Sequence, residues 1–243
     1  MWLSPDYVSP MRFLVIQHLN IEPPALIGSV LEEAGHELIY THVNQGEALP
    51  ENTAGFSGAI IMGGPQSADN AHLDYIRAEL DWLKTNLDAG LPMLGICLGS
   101  QLMAKAAGGN ISASPLRELG WYPVFPTAQS PDDPLFSPLP DQGLTVFQWH
   151  GETFSLPDTA TTVASHPDVA QQAFRLGLAQ YGLQFHIEVD QTLIELWIRA
   201  GDSERAHLGE EGLTLLRGQT PLYLSTMRAY CHQMLGNWLA LLR

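Results

Sequence analysis

Seven residues constrain this chain more than any others. Gly95-Ile96-Cys97-Leu98-Gly99-Ser100-Gln101 sets a cysteine between two glycines, at the point where an apolar run passes into a helical pattern. Leu91 to Ile96 reads as a buried strand, and Leu98, Leu102, Lys105 and Ala106 recur at near-helical spacing until Gly108-Gly109. A tight strand-to-helix turn leaves no room for Cβ atoms beside its apex, which gives Gly95 and Gly99 a steric reason. Cys97 then stands at a helix N-terminus, where free N–H groups and the macrodipole favour a thiolate. An isolated cysteine is more often a buried structural residue, and the flanking glycines weigh against that reading here.

A thiolate nucleophile needs a base. Gln184-Phe185-His186-Ile187-Glu188 supplies one if it is extended, because His186 and Glu188 then project from the same face and the carboxylate can orient the imidazole. A third element is Ala59-Ile60-Ile61-Met62, a buried strand that ends in Gly63-Gly64-Pro65. Glycines there let backbone N–H groups approach a reacting carbonyl, so the N–H groups of Gly64 and Leu98 are candidates for an oxyanion hole. Alone, Gly-Gly-Pro is a turn signal.

The remaining elements follow from periodicity. Strands are expected at 12–16, 37–41, 58–62 and 92–96, and helices at 24–34, 72–89 and 98–107. Helix 72–89 carries the stripe Leu73, Ile76, Leu80, Leu83 and Leu87. This alternation predicts a mostly parallel sheet with its ligand site at the strands' carboxyl ends. From 121 onward, short strands are expected at 121–125, 145–149, 161–164, 171–176 and 180–186, with a Pro-rich loop from Thr127 to Gln142. Beyond 190 the pattern is helical at 190–200, 203–217 and 221–241. The last segment lines up Tyr223, Met227, Tyr230, Met234 and Trp238, a stripe expected to pack on the protein's own sheet, with a homodimer surface as the alternative.

Composition bounds the function. With 243 residues, 45% of them apolar, a single domain over 11–243 can bury a full core. The net charge of −15 repels phosphate backbones, which argues against nucleic acid or an anionic membrane as partner. Only Cys97 and Cys231 occur, and a disulfide between them would destroy the nucleophile, so a reducing cytoplasm is the expected setting. Cys231 reads as structural. No apolar run reaches membrane-spanning length. Residues 1–10 lack the basic and apolar regions of a signal peptide and read as an extension or tag-like segment, with Met11 an alternative start. The histidines show no metal-ligand spacing, so neither a metal nor another cofactor is expected.

Taken together, the elbow, Gly-Gly-Pro and His-x-Glu, in this order, resemble the class I (triad-type) glutamine amidotransferases over most of residues 12–189. Glu118-Leu119-Gly120-Trp121 and Trp149-His150-Gly151-Glu152 are similar to the branch that includes the amidotransferase domain of GMP synthetase. The resemblance implies a flavodoxin-like three-layer α/β sandwich with a mostly parallel central sheet, additional short antiparallel strands and a helical C-terminal extension over 190–243. It implies Cys97, His186 and Glu188 as catalytic residues, Gly64 and Leu98 as oxyanion donors, and Gly63, Gln101, Trp149, His150, Gly151 and Glu152 around the substrate. Most members have proline where Ile187 stands, which is expected to loosen that position.

No ATP-pyrophosphatase domain and no Gly-rich phosphate loop with Lys are seen in the sequence, so a synthetase partner is expected to be a separate chain. Three functions stay open at this point: a glutaminase that releases ammonia from L-glutamine, possibly for such a synthetase; a stand-alone hydrolase of γ-glutamyl amides or peptides; and a non-catalytic binding module. The last would be expected to lose a triad member, and none is lost.

Overall fold

A computed structural model describes residues 9–243. The 1–10 segment therefore lies outside the described residues except for its last two. Nine strands form one sheet in the order β2-β1-β3-β4-β9-β8-β7-β5-β6. Five of them, β2 (Glu37–His42), β1 (Arg12–Gln17), β3 (Gly58–Ile61), β4 (Met93–Ile96) and β9 (Gln180–Leu183), run parallel. With β9 in the fifth place this is the flavodoxin-like order, and it directs ligands to the carboxyl ends of the strands. The other four, β5 (Ile111–Pro126), β6 (Leu144–Phe154), β7 (Thr161–Ser165) and β8 (Ala173–Leu176), extend the sheet antiparallel.

The parallel strands are buried on both faces, and each face has its own helices. Phe13, Val15, Ile60, Leu94 and Ile96 point toward α1 (Ala25–Glu33), α4 (Gln191–Ala200) and α5 (Asp202–Leu241). Leu14, Ile16, Ala59, Ile61 and Met93 point toward α2 (Asp74–Asp88) and α3 (Leu98–Ala106). Adjacent strand residues alternate between the two layers, as the period of two requires. Met227, Tyr230, Met234 and Trp238 are buried in the first layer, so the stripe on the last helix packs on its own sheet.

Three strands differ most from the sequence expectation. Strands β5 and β6 are longer than 121–125 and 145–149 because they form an extended ribbon at the sheet edge. Residues 111–117 lack apolar alternation, carry Pro115 and sit at a register shift between Ala113 and Glu118, which is how edge strands accommodate proline. Strand β9 stops at Leu183 where 186 was expected, yet His186 N–H still donates to Phe147 O at 2.8 Å and bridges to β6.

The last helix also departs from expectation. It continues through Pro221, where a break near Gly218 was expected, and breaks at Gly209 (φ +61°). Proline forfeits one backbone bond, but Leu216 and Thr220 are buried there, and Trp121 Nε1 donates to Thr220 Oγ1 at 3.0 Å. Gly209 has nothing within 4 Å of a would-be Cβ and adopts the left-handed conformation without obstruction.

Candidate active site

Cys97 sits at the apex between β4 and α3 with φ 49° and ψ −108°, a left-handed conformation that a non-glycine residue rarely holds. The chain on either side fixes it. A Cβ on Gly95 would lie 2.6 Å from Met103 Sδ, and one on Gly99 would lie 2.1 Å from Ile61 O. Cys97 N–H donates to Leu183 O at 2.8 Å, and Ser100 Oγ donates to Cys97 O at 2.7 Å. The side chain stays 7% exposed, whereas Cys231 is fully buried in the α5 layer, where burial pushes its thiol pKa up.

His186 and Glu188 meet as the same-face expectation requires, with Nδ1 and Oε1 2.6 Å apart and both side chains almost fully buried. Burial disfavours the charged imidazole. The Glu188 carboxylate, with a further contribution from Cys97, outweighs it, so the ring pKa is raised well above its ordinary value. The ring stands edge-on to Trp197, with centroids 4.7 Å apart, and to Phe147. Ile187 is fully buried, and the His186–Glu188 contact is kept without the proline most members have at that position. Glu188 Oε2 is buried without a hydrogen-bond partner among the described residues.

Gly63 and Gly64 follow β3 and abut both halves of this arrangement. A Cβ on Gly63 would lie 3.3 Å from His186 Cε1 and 2.3 Å from Glu22 Oε2; one on Gly64 would lie 2.8 Å from Leu98 Cδ2 and from His18 Cβ. Close approach of Leu98 and His18 excludes a Cβ at Gly64, whereas at Gly63 the nearest atom is the end of the Glu22 side chain. Leu98 opens α3, where first-turn N–H groups have no intrahelical acceptor.

A cavity of about 460 Å³ opens over these residues. Cys97, His186, Gly64, Gln101 and Trp149 to Glu152 line it, whereas Gly63, Leu98 and Glu188 do not. Gln101 Nε2 is already used, donating to Glu152 O at 3.3 Å and to Gln184 Oε1 at 3.1 Å, so only its Oε1 remains for a ligand. Trp149 stacks on Phe147, and its carbonyl oxygen is 4.0 Å from Cys97 Sγ. The two sequence motifs are register partners on neighbouring strands, since Glu118 faces His150 across β5 and β6. His150 Nε2 lies 3.0 Å from Glu118 Oε2 and its Nδ1 lies 2.9 Å from Glu152 O; Gln172 also donates to Glu118 at 2.8 Å. Both ring nitrogens of His150 are thus engaged, which fixes it in the cavity wall.

Sequence reasoning missed three groups. Glu22, in the loop after β1, lines the cavity beside Gly63. Burial pushes its carboxyl pKa up to about 7, against the lowering influence of His186 and His18. His18 and Glu79 form a fully buried pair, Nε2 to Oε2, at 2.8 Å beneath the Gly63-Gly64 loop. The junction of α4 and α5 rims the far side, where Arg117 pairs with Glu204 and donates to Ser203 Oγ at 3.1 Å.

The family model for class I glutamine amidotransferases matches residues 25–196. A glutamine amidotransferase-like protein (YfeJ) of Salmonella typhimurium is 30% identical over 231 residues, 93% of each chain. The glutamine-hydrolysing GMP synthase of Porphyromonas gingivalis is 37% identical over 178 residues, which span 72% of this chain and 33% of that one. A glutamine amidotransferase crystal structure from Thermotoga maritima superposes with a TM-score of 0.85 at 30% identity, over 94% of this chain and 98% of its own. The family match covers most of the chain, including the elbow and the His186–Glu188 segment, and the chain belongs to the class I glutamine amidotransferases.

Proposed function

We propose that the protein hydrolyses the side-chain amide of L-glutamine through a γ-glutamyl thioester on Cys97. The observation that carries this reading is the 2.6 Å pair of His186 and Glu188 beside a cysteine held in strain at the elbow. Cys97 Sγ adds to the carboxamide carbon and the carbonyl π electrons move to oxygen, forming a tetrahedral oxyanion. The N–H groups of Gly64 and Leu98 hold that charge. When the oxyanion collapses, the C–N bond breaks and His186 delivers the proton that lets ammonia leave. Water then adds to the thioester while His186 takes its proton, and C–S cleavage releases glutamate and restores the thiolate. Glu188 keeps the proton on Nδ1 of the ring and stabilises the imidazolium. Gln101 Oε1 and the Trp149 to Glu152 stretch of β6 bind the amino-acid end. No cofactor takes part.

The chain acts on glutamine, and the ammonia it releases is what a synthetase partner would consume. A second reading, hydrolysis of γ-glutamyl amides or peptides by the same acyl-enzyme, is favoured by the cavity. About 460 Å³ lies within the range of roughly 300–1,000 Å³ that accommodates drug-sized ligands and leaves room beyond a carboxamide. Release of ammonia and glutamate by purified protein, measured on glutamine and on γ-glutamyl dipeptides, tests both. Turnover that disappears in Cys97→Ala supports the mechanism, and a higher kcat/KM for glutamine supports the first reading. Undiminished release by Cys97→Ala would sink both.

A further inference from the structure

His18 and Glu79 are fully buried, one after β1 and the other on α2, and no step of the proposed hydrolysis uses them. Burying such a pair is costly, and Glu79 Oε1 has no hydrogen-bond partner among the described residues. The second ring nitrogen indicates what the pair is for. Nδ1 of His18 lies 3.3 Å from the carbonyl oxygen of Gly63, and Nε2 lies 2.8 Å from Glu79 Oε2. A carbonyl oxygen only accepts, so Nδ1 carries a proton and donates it, with Glu79 fixing the ring from the other side.

The oxygen held by His18 belongs to the same peptide unit as the Gly64 N–H. Every peptide bond among the described residues is trans, so C=O and N–H of that unit point in opposite directions. Fixing Gly63 O on His18 therefore turns Gly64 N–H away from His18, and Gly64 lines the cavity with Cys97. Two glycines in succession rotate their shared peptide plane at little steric cost, so without a clamp the plane would be free to turn.

We infer that His18, braced by Glu79, is a positioning residue that locks the Gly63–Gly64 peptide with its N–H directed at the oxyanion. This inference rests on the reading of Gly64 N–H as an oxyanion donor. It predicts that the position of a single donor on residue 18 governs turnover: the amide nitrogen of asparagine lies near where Nδ1 lies in histidine, and that of glutamine near Nε2.

Both substitutions are made in a Glu79→Gln background, so that no unpartnered carboxylate is buried. His18→Asn should keep kcat for glutamine within about tenfold of that background, whereas His18→Gln should lose about 100-fold or more, the scale of a lost oxyanion donor, with KM little changed. Alkylation of Cys97 by iodoacetamide forms no carbonyl oxyanion, so its rate should hold in both variants. Equal kcat in the two variants, or a parallel fall in alkylation, overturns the clamp. A readout on the wild-type protein does not depend on the variants folding: histidine ¹⁵N spectra at neutral pH should show a proton on Nδ1 of His18, and a bare Nδ1 overturns the inference. If wild type releases no glutamate from glutamine, the hydrolytic reading fails, and the ring spectrum still decides the clamp.

Discussion

Gly99→Ala probes how tightly the elbow is built. The added Cβ would lie 2.1 Å from Ile61 O and 2.7 Å from Ile61 C, while ordinary contact begins near 3.4 Å, so α3 and β3 must part by about 1 Å. Both struck atoms are backbone, and no rotamer change relieves them. Overpacking a rigid site costs about 1–3 kcal/mol, and a clash between two backbones belongs at the upper end, about 3 kcal/mol. At roughly 2–4 °C per kcal/mol for a chain of this size, Tm should fall by roughly 6–12 °C. Activity should suffer as well. Gly99 follows Cys97 by two residues and Ile61 precedes Gly63 by two, so parting them draws Cys97 away from the Gly63-Gly64 loop, which the proposed mechanism needs beside it. A misplacement of about 1 Å costs on the order of 100-fold in turnover. Thermal melts and glutamine hydrolysis at a temperature where the variant is folded measure the two effects separately. Gly236→Ala is the control: that glycine is exposed within α5, has nothing within 4 Å of a Cβ, and its replacement should gain about 1 kcal/mol of helix propensity. A Gly99→Ala protein that melts within about 2 °C of wild type and keeps its kcat would refute the steric account of the elbow.

Brief iodoacetamide treatment at neutral pH, followed by mass mapping, should label Cys97 well before Cys231, whose thiol is fully buried with its pKa raised by burial; equal labelling would contradict this. Glu188→Gln should lower kcat by about 10²–10⁴, less than Cys97→Ala or His186→Ala, because it orients the base and transfers no proton. It should also move the alkaline limb of kcat/KM to lower pH, since burial of His186 then goes uncompensated by the carboxylate; an unmoved limb counts against that role. Glu22 binds a proton up to about pH 7 in the folded chain but only to about 4.5 when unfolded, so wild type should lose stability relative to Glu22→Gln as pH rises through that window. Melts at pH 5 and pH 8 check the sign, and a Tm difference independent of pH would count against it.

What could be read from the sequence was what local sterics dictate. Gly95, Gly99, Gly63 and Gly64 are glycines because backbone or side-chain atoms occupy the place of a Cβ, and such positions announce themselves beside a nucleophile or at a strand end. The same-face rule for His186 and Glu188 survived even though β9 ends three residues before His186, because a bridge to Phe147 holds the segment extended. The antiparallel ribbon was under-read for the opposite reason. Its outer residues are half-exposed and polar, so hydrogen bonding along the edge makes them a strand without an apolar pattern to show it.

Glu79 marks where local reasoning stops. The leucine stripe on α2 had the right period, but the face that is buried runs through Ile76, Glu79, Leu83 and Asn86, while Leu80 and Leu87 are only half-buried. A carboxylate in the middle of a core face makes sense only with its partner, and His18 is 61 residues away on a different element. Glu22 is likewise significant only once the loop after β1 lies against the loop after β3. The parallel sheet brings these loops together because every one of its strands ends on the same side. The residues assigned to the proposed chemistry therefore sit in short motifs, whereas His18, Glu79 and Glu22, which pack against those motifs, come from other loops and helices and are identifiable only from the assembled fold.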